Sequence, residues 1–243
     1  MYSDFAEIYN KLVFDIDYDF YYNTINVELD KNSIVPKNIL EIGIGTGNLT
    51  KRMNFETDSY IGIDLSQEML EIASNNLIEK KDITLLNADI SDFSLNNFFD
   101  LAISTLDTIN YILEEDRLFS AFKNIYNSLK KDSAFIFDIN SENKLKKVLG
   151  NNTFVFEYEN IFYTWQNFLD EEENIVDFVL DFFIEENGLY RRIREEQSEK
   201  IYSVDYIMKL LKKAGFKNIS YKDFDSGNKV TENSQRILFT AIK

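Results

Sequence analysis

Ile39-Leu40-Glu41-Ile42-Gly43-Ile44-Gly45-Thr46-Gly47-Asn48 runs an apolar strand straight into a turn with glycine at three alternate positions, and a helix follows from Asn48. Glycine adopts backbone angles that a Cβ forbids and lets a ligand touch the main chain, while the first N–H groups of the helix face the gap. A dinucleotide site seats its pyrophosphate with G-x-G-x-x-G. Here the spacing is G-x-G-x-G, and Glu41 stands two residues before the first glycine. A carboxylate there repels pyrophosphate but attracts an ammonium group, directly or through water. The turn therefore points to a ligand bearing an amino-acid moiety; a tight turn with no ligand is the plain alternative.

Outward from this turn, strands and helices alternate. Tyr2 to Asp30 reads as two short helices rich in tyrosine. A strand at Tyr60–Ile63 precedes a helix starting near Ser66, a favourable N-cap with Glu68 in the first turn. Ile83–Asn87 and Phe99–Ser104 read as strands three and four, and Ser133–Asp138 as strand five. Between Asp116 and Lys130, Leu118, Phe119, Phe122, Ile125, Tyr126 and Leu129 fall at helical spacing, with lysines at the end the dipole favours. This order predicts a doubly wound α/β fold, a parallel sheet with helices on both faces. From Thr153 to Glu199 the period becomes two, with a turn at Asp170–Asn174 and an Asn187-Gly188 pair of the kind that favours a type I′ hairpin. That stretch predicts three or four antiparallel strands. A helix capped by Ser203 and stopped by Gly215 follows, and Lys217–Phe224 with Arg236–Ile242 predict a hairpin at the sheet's edge.

Composition narrows the chemistry. Hydrophobic residues at 44% supply a packed core, and no apolar run approaches the length of a membrane helix. Met1 to Leu12 carries Asp4 and Glu7 and does not resemble a signal peptide; with no cysteine there is no disulfide framework, so the expected location is cytoplasmic. The absence of Cys and His excludes thiolate nucleophiles, Ser-His triads, imidazole bases and zinc-thiolate sites, and no metal-ligand cluster stands out. The net charge of −16, without a basic patch, argues against a nucleic-acid substrate. Residues 151–200 hold 13 Asp and Glu against 4 Lys and Arg, so this stretch concentrates the acidity and favours an acceptor with an amine or other cationic group.

Two further acids extend the site. Asp64 ends the second strand, where ligands of doubly wound sheets bind and an acid accepts from ribose hydroxyls. Asp89 follows the third strand, placed to accept from an exocyclic amine. In order, Glu41-x-Gly-x-Gly-x-Gly, Asp64, Ala88-Asp89 and Phe99-Asp100-Leu101-Ala102 resemble the class I S-adenosylmethionine methyltransferases, from about Asn38 through Lys130. The resemblance implies a seven-stranded, mostly parallel Rossmann-like sheet. Residues 1–150 and 200–243 would form the cofactor-binding domain, and 151–199 an antiparallel insertion covering the acceptor. Gly43, Gly45 and Gly47 would then pack on the methionine part, Asp64 with Leu65 and Met69 would hold the ribose side, and Asp89 with Ile90 would read adenine. Thr105 and Leu106 open the segment bordering the methyl group.

A narrower resemblance rests on Phe5-Ala6-Glu7-Ile8-Tyr9-Asn10, Tyr18 and the insertion after strand five, which look like the glycine- and sugar-amine N-methyltransferase group. It implies that Tyr9 and Tyr18 reach over the cofactor, although Tyr18 stands where that group often has Trp. A sulfonium methyl is already electrophilic, so alignment and exclusion of water suffice. Tyr9 and Asp107 are the candidates for a base, should the nucleophile need one. The loop Asp107-Thr108-Ile109-Asn110 lacks the prolines of base-amine methyltransferases, and the missing cysteine excludes cytosine C5 chemistry. An NAD-dependent oxidoreductase, or a non-catalytic cofactor-binding protein, remains as an alternative.

Overall fold

A computed structural model describes residues 8–9, 12–13, 16–80, 82–93 and 95–243. The elements are α1 (Tyr18–Lys31), β1 (Asn38–Ile42), α2 (Asn48–Arg52), β2 (Ser59–Asp64), α3 (Gln67–Asn76), β3 (Ile83–Asn87) and β4 (Phe99–Ser104). After a 3₁₀ turn at Thr108–Tyr111 come α4 (Glu115–Ser128), β5 (Leu129–Asn140) and a π-helical segment at Lys144–Leu149. The chain continues through β6 (Thr153–Tyr158), β7 (Ile161–Asp170), β8 (Ile175–Glu186), β9 (Leu189–Lys200), α5 (Val204–Ala214), β10 (Lys217–Asp223) and β11 (Arg236–Ile242).

The large sheet has seven strands in the order β10-β11-β5-β4-β1-β2-β3. Strands β1 to β5 run parallel, and β11 is antiparallel to both β5 and β10. Strand order reverses between β1 and β4, the switch point at which doubly wound sheets open a crevice beyond the strand ends. Each face is sealed by apolar stripes. On one, Leu118, Phe122 and Ile125 of α4 and Ile207 and Leu211 of α5 pack on Leu40, Ala102, Phe135 and Phe137. On the other, Tyr21, Ile25 and Leu29 of α1 pack on Ile39, Leu101, Ile103 and Ile136. Helix ends follow their signals: Ser66 accepts from the Met69 N–H, Ser203 from the Tyr206 N–H, and Gly215 with Phe216 closes α5 by N–H bonds to Leu211 and Lys212.

Three details depart from the sequence reading. Helix α4 ends at Ser128 rather than reaching Lys130, because the buried Leu129 turns extended and pairs with Phe99. Lys130 therefore lies in β5 and pairs with Asp100 instead of capping a helix dipole. The π-helical segment is the third, carrying no glycine or proline punctuation that would mark it. Of the two expected N-terminal helices, the second is α1; Phe5, Ala6, Glu7 and Asn10 lie outside the described residues.

The second sheet has four antiparallel strands in the order β6-β7-β8-β9. Asn187 and Gly188 both have positive φ, as a type I′ turn requires, and Asn174 supplies the αL residue of the preceding turn. This sheet packs through Val176 and Phe178 onto Leu145 and Leu149, and through Ile161, Phe182 and Ile184 onto Ile8. Ile8 is thereby held against the second sheet.

Candidate active site

The glycine turn closes because the N–H groups of Gly43 and Ile44 both donate to the Ile63 carbonyl of the neighbouring strand. Gly43, Gly45 and Gly47 all have positive φ, at +70°, +55° and +77°. A Cβ on Gly43 would collide with the Thr108 side chain, whereas Gly45 faces open space. Gly47 is the residue before α2, so the turn delivers the first N–H groups of that helix to the crevice.

Asp64 meets this turn directly: Oδ2 accepts from the Gly45 N–H at 2.8 Å and Oδ1 from the Ser66 N–H at 2.9 Å. The Leu65 N–H also bonds this carboxylate, which has about four lone-pair directions, so one remains for a ligand. Burial raises the Asp64 carboxyl above its ordinary value, against the pull of these N–H bonds. Next to it Leu65 is 71% exposed, an apolar side chain lying open beside a polar one. Met69 is half-buried one turn into α3. Asn87 Nδ2 donates to the Asp64 and Leu65 carbonyls and fixes this loop. Asp89 is more occupied: its Oδ1 accepts from the Ser91 N–H and hydroxyl, and its Oδ2 pairs with Arg117. Partial burial pulls the carboxyl up, but those partners leave it below the ordinary value. The Ile90 side chain is buried in the core.

Glu41 lies behind the turn. Its contacts are with its own chain: Oε2 accepts from the Thr50 and Tyr60 hydroxyls, each at 2.5 Å. The alternation of β1 puts Glu41 on the same face as Ile39, beneath α2 and against β2, where it braces the turn from behind. It is 2% exposed, and burial pushes its carboxyl up to about 7.

Beyond β4 the chain bends through two residues with positive φ, Leu106 and Asp107, after the buried Thr105. Their N–H groups both donate to Asp138 at the end of β5, at 3.2 and 2.8 Å. Arg236, the first residue of β11, donates to Asp138 at 2.8 Å and to Asp107 at 2.6 Å. Burial raises the Asp107 carboxyl, but Arg236, Lys144 and the hydrogen bonds from Arg236 and Glu199 together outweigh it, and the net displacement is downward. Asp107, the expected base, is thus tethered to Arg236. Its side chain also shares a hydrogen bond with Glu199, from the end of β9. Glu199 is 3% exposed, and Asn140 Nδ2 donates to it at 2.8 Å. Burial, then the charge of Asp107, hold the Glu199 carboxyl well above the carboxylate range.

The aromatic candidates gather here. Tyr9 lies close enough to Asp64, Asp107 and Arg236 to feel all three, and burial raises its hydroxyl. The Tyr18 hydroxyl accepts from Asn48 Nδ2 at 3.4 Å, at the start of α2. The structure thus brings Tyr9, Tyr18, the three glycines, Asp64, Thr105 and Leu106 to one crevice. Asp138, Glu199, Arg236 and Asn140 join it without having been legible in the sequence. The one hint was Asp138, a lone charge inside the apolar strand Phe135-Ile136-Phe137-Asp138-Ile139.

A nucleoside bearing an amino-acid tail fits these residues: an open glycine turn, a strand-end carboxylate with an unused lone pair, and an exposed leucine beside it. Fold and site together define the class I methyltransferase architecture. A methyltransferase-domain family model matches residues 39–132. The crystal structure of an S-adenosylmethionine-dependent methyltransferase from Clostridium acetobutylicum ATCC 824 is similar over 99% of this chain and 98% of that one, with a TM-score of 0.89 and 36% identity. The putative methyltransferase YqeM of Bacillus subtilis (strain 168) is 27% identical across 100% of this chain and 97% of its own length. The sugar N-methyltransferase KedS8 from Streptoalloteichus sp ATCC 53650 shares the fold over 98% of this chain and 92% of that one, with a TM-score of 0.78 and 15% identity. The chain belongs to the S-adenosylmethionine-dependent methyltransferases. It is a methyl-transferring enzyme with that cofactor as donor, and nothing in these relationships supports the oxidoreductase or the non-catalytic alternative.

Proposed function

We propose that the enzyme methylates an amine of a small molecule by direct in-line displacement. The observation that carries this reading is the wall where the two sheets meet: the buried carboxyl groups of Asp138 and Glu199 and the half-buried one of Asp107 face two cationic side chains, Arg236 and Lys144. Arg236 is committed to Asp107 and Asp138, and the hydrogen bond that Glu199 receives from Asn140 comes from an uncharged amide. A buried acid with an uncharged partner favours a ligand that brings N–H donors and positive charge. The shared fold of the sugar N-methyltransferase KedS8 agrees with this chemistry.

In this reading residues 1–150 and 200–243 hold the donor and 151–199 cover the acceptor. S-adenosylmethionine supplies a methyl group already activated on a sulfonium. Gly43, Gly45 and Gly47 take its amino-acid part, Asp64 accepts from its ribose, Leu65 and Met69 pack on the nucleoside, and the Asp89–Ile90 loop borders adenine. Tyr9 and Tyr18 close over it, and Thr105 and Leu106 flank the methyl. The chain then has two tasks, lining up the acceptor nitrogen with the methyl carbon and keeping water out; orientation alone is worth ~7–11 kcal/mol of barrier.

The test is an assay of S-adenosylhomocysteine formation with a panel of primary and secondary amines, carboxylic acids and phenols. Turnover of amines is expected. Turnover confined to acids or phenols would falsify the reading.

A further inference from the structure

Glu199 and Asn140 come from different sheets, and a relay of contacts ties them to the glycine turn. Thr108 abuts Gly43. Two residues along the same 3₁₀ turn, Asn110 is fully buried: its Oδ1 accepts from the Asn140 N–H at 3.0 Å, and its Nδ2 donates to the Lys200 carbonyl at 3.0 Å. Asn110 thereby ties the strands that carry Asn140 and Glu199 to the 3₁₀ turn that walls Gly43. Asn140 is itself 2% exposed, and its Oδ1 is one of three buried polar atoms without a hydrogen-bond partner among the described residues. A buried amide oxygen left unpaired is costly, about 1–3 kcal/mol, and marks a place where a donor is missing.

We infer that Glu199 is the group that takes the proton from the acceptor nitrogen, and that Asn140 Oδ1 receives a second N–H from the same nitrogen, so that the site takes primary and secondary amines and rejects tertiary ones. This inference rests on the amine reading above. Two acidic side chains in contact hold one proton between them in the empty site. Arg236 keeps Asp107 as the anion, so the proton sits on Glu199; Lys144 and Tyr111 are the other ionisable groups that face it. As an ammonium acceptor enters, Glu199 releases its proton to solvent. The ammonium N–H then passes its proton to the Glu199 carboxylate and leaves the nitrogen lone pair free. The lone pair forms the N–C bond while the C–S bond breaks, and sulfur keeps the bonding electrons. One proton reaches solvent per turnover, and the product is a secondary ammonium. Each methylation replaces one N–H: the primary ammonium has three, the monomethyl ammonium two and the dimethyl ammonium one, so Asn140 Oδ1 loses its partner only after the second transfer.

The experiment uses the fastest primary amine of the panel and its N,N-dimethyl derivative, with wild type, Glu199→Gln, Glu199→Asp and Asn140→Ala. Glu199→Gln keeps an acceptor for Asn140 Nδ2, and unchanged S-adenosylhomocysteine affinity by calorimetry certifies its fold. Its kcat should fall about 100-fold, as loss of a general base does, with KM within about threefold. The acid limb of the wild-type pH–rate profile should vanish in Glu199→Gln and return in Glu199→Asp. Asn140→Ala should erase most of the preference for the primary over the tertiary amine. Should the variants fail to fold, wild type alone decides the second half: it should stop at the dimethyl product. A Glu199→Gln enzyme with wild-type kcat and pH profile overturns the proton-accepting role, and equal wild-type rates on both amines overturn the Asn140 role. Failure of every amine in the panel would instead overturn the amine reading itself.

Discussion

The donor half and the acceptor half of the crevice are built by different means. Around the glycines the partners are main-chain groups and residues close in sequence: Gly45 N–H to Asp64 spans 19 residues. Around Asp107 the partners are charged side chains brought from afar: 129 residues separate it from Arg236, 98 lie between Asp138 and Arg236, and 59 between Asn140 and Glu199. Backbone geometry shapes the first half, and buried charge balance shapes the second. The first tolerates little change in backbone angle; the second tolerates little change in charge.

The largest effect should come from the second half. Arg236→Met leaves the half-buried Asp107 and the buried Asp138 with their shared cation gone, and removing one partner of such a pair costs about 3–5 kcal/mol. Urea denaturation should show that loss, and Arg236→Lys should recover only part of it because one ammonium cannot reproduce the two-pronged contact. A loss below about 1 kcal/mol would mean that the network is not a buried, balanced unit.

Glu41 tests whether the first half is free of charge effects. Its carboxyl is raised by burial from 4.5 to about 7. A raised acid contributes its stability fully below the unfolded value, and that contribution is lost as pH rises through the folded one. Wild type should therefore lose about 3 kcal/mol relative to Glu41→Gln as pH climbs from about 4.5 to about 7, read as the difference between two stability–pH curves. Parallel curves would place Glu41 outside the buried environment described.

Gly43→Ala probes backbone angle and close contact together. Its positive φ and the collision with Thr108 should remove about 1–3 kcal/mol of stability and weaken S-adenosylhomocysteine binding. Adding Thr108→Ala relieves the collision but not the φ, so the double variant should recover only part of the loss. Full recovery would show that the angle itself is unimportant. The smallest effect is expected at Leu65: Leu65→Ala should leave stability within about 0.5 kcal/mol, because the side chain is exposed, yet cost about 1 kcal/mol of S-adenosylhomocysteine affinity.

Legibility in the sequence follows the same division. Glycine spacing, strand-end acids and an Asn-Gly turn carry their geometry in local residue types, so the glycine turn, the seven-stranded sheet and the β8–β9 hairpin were all readable. The partners of Glu41 were not legible, because they depend on which face of β1 it occupies and on Thr50 and Tyr60 across that face. Arg236 reads as the ordinary start of an edge strand, and Glu199 as one acid among many in an acidic stretch. Asn110 and Asn140 carry no sequence mark at all.

The chain alone determined the order of its strands and helices, the bend at residues 43–47 and the class of cofactor, because these depend on backbone freedom and on periodicity within a few turns. Only the tertiary structure decided which carboxyl group is neutralised and which is left with a raised proton affinity. Charge compensation in a dry interior depends on what the fold sets a few ångströms away, and here those neighbours lie up to 129 residues distant in sequence.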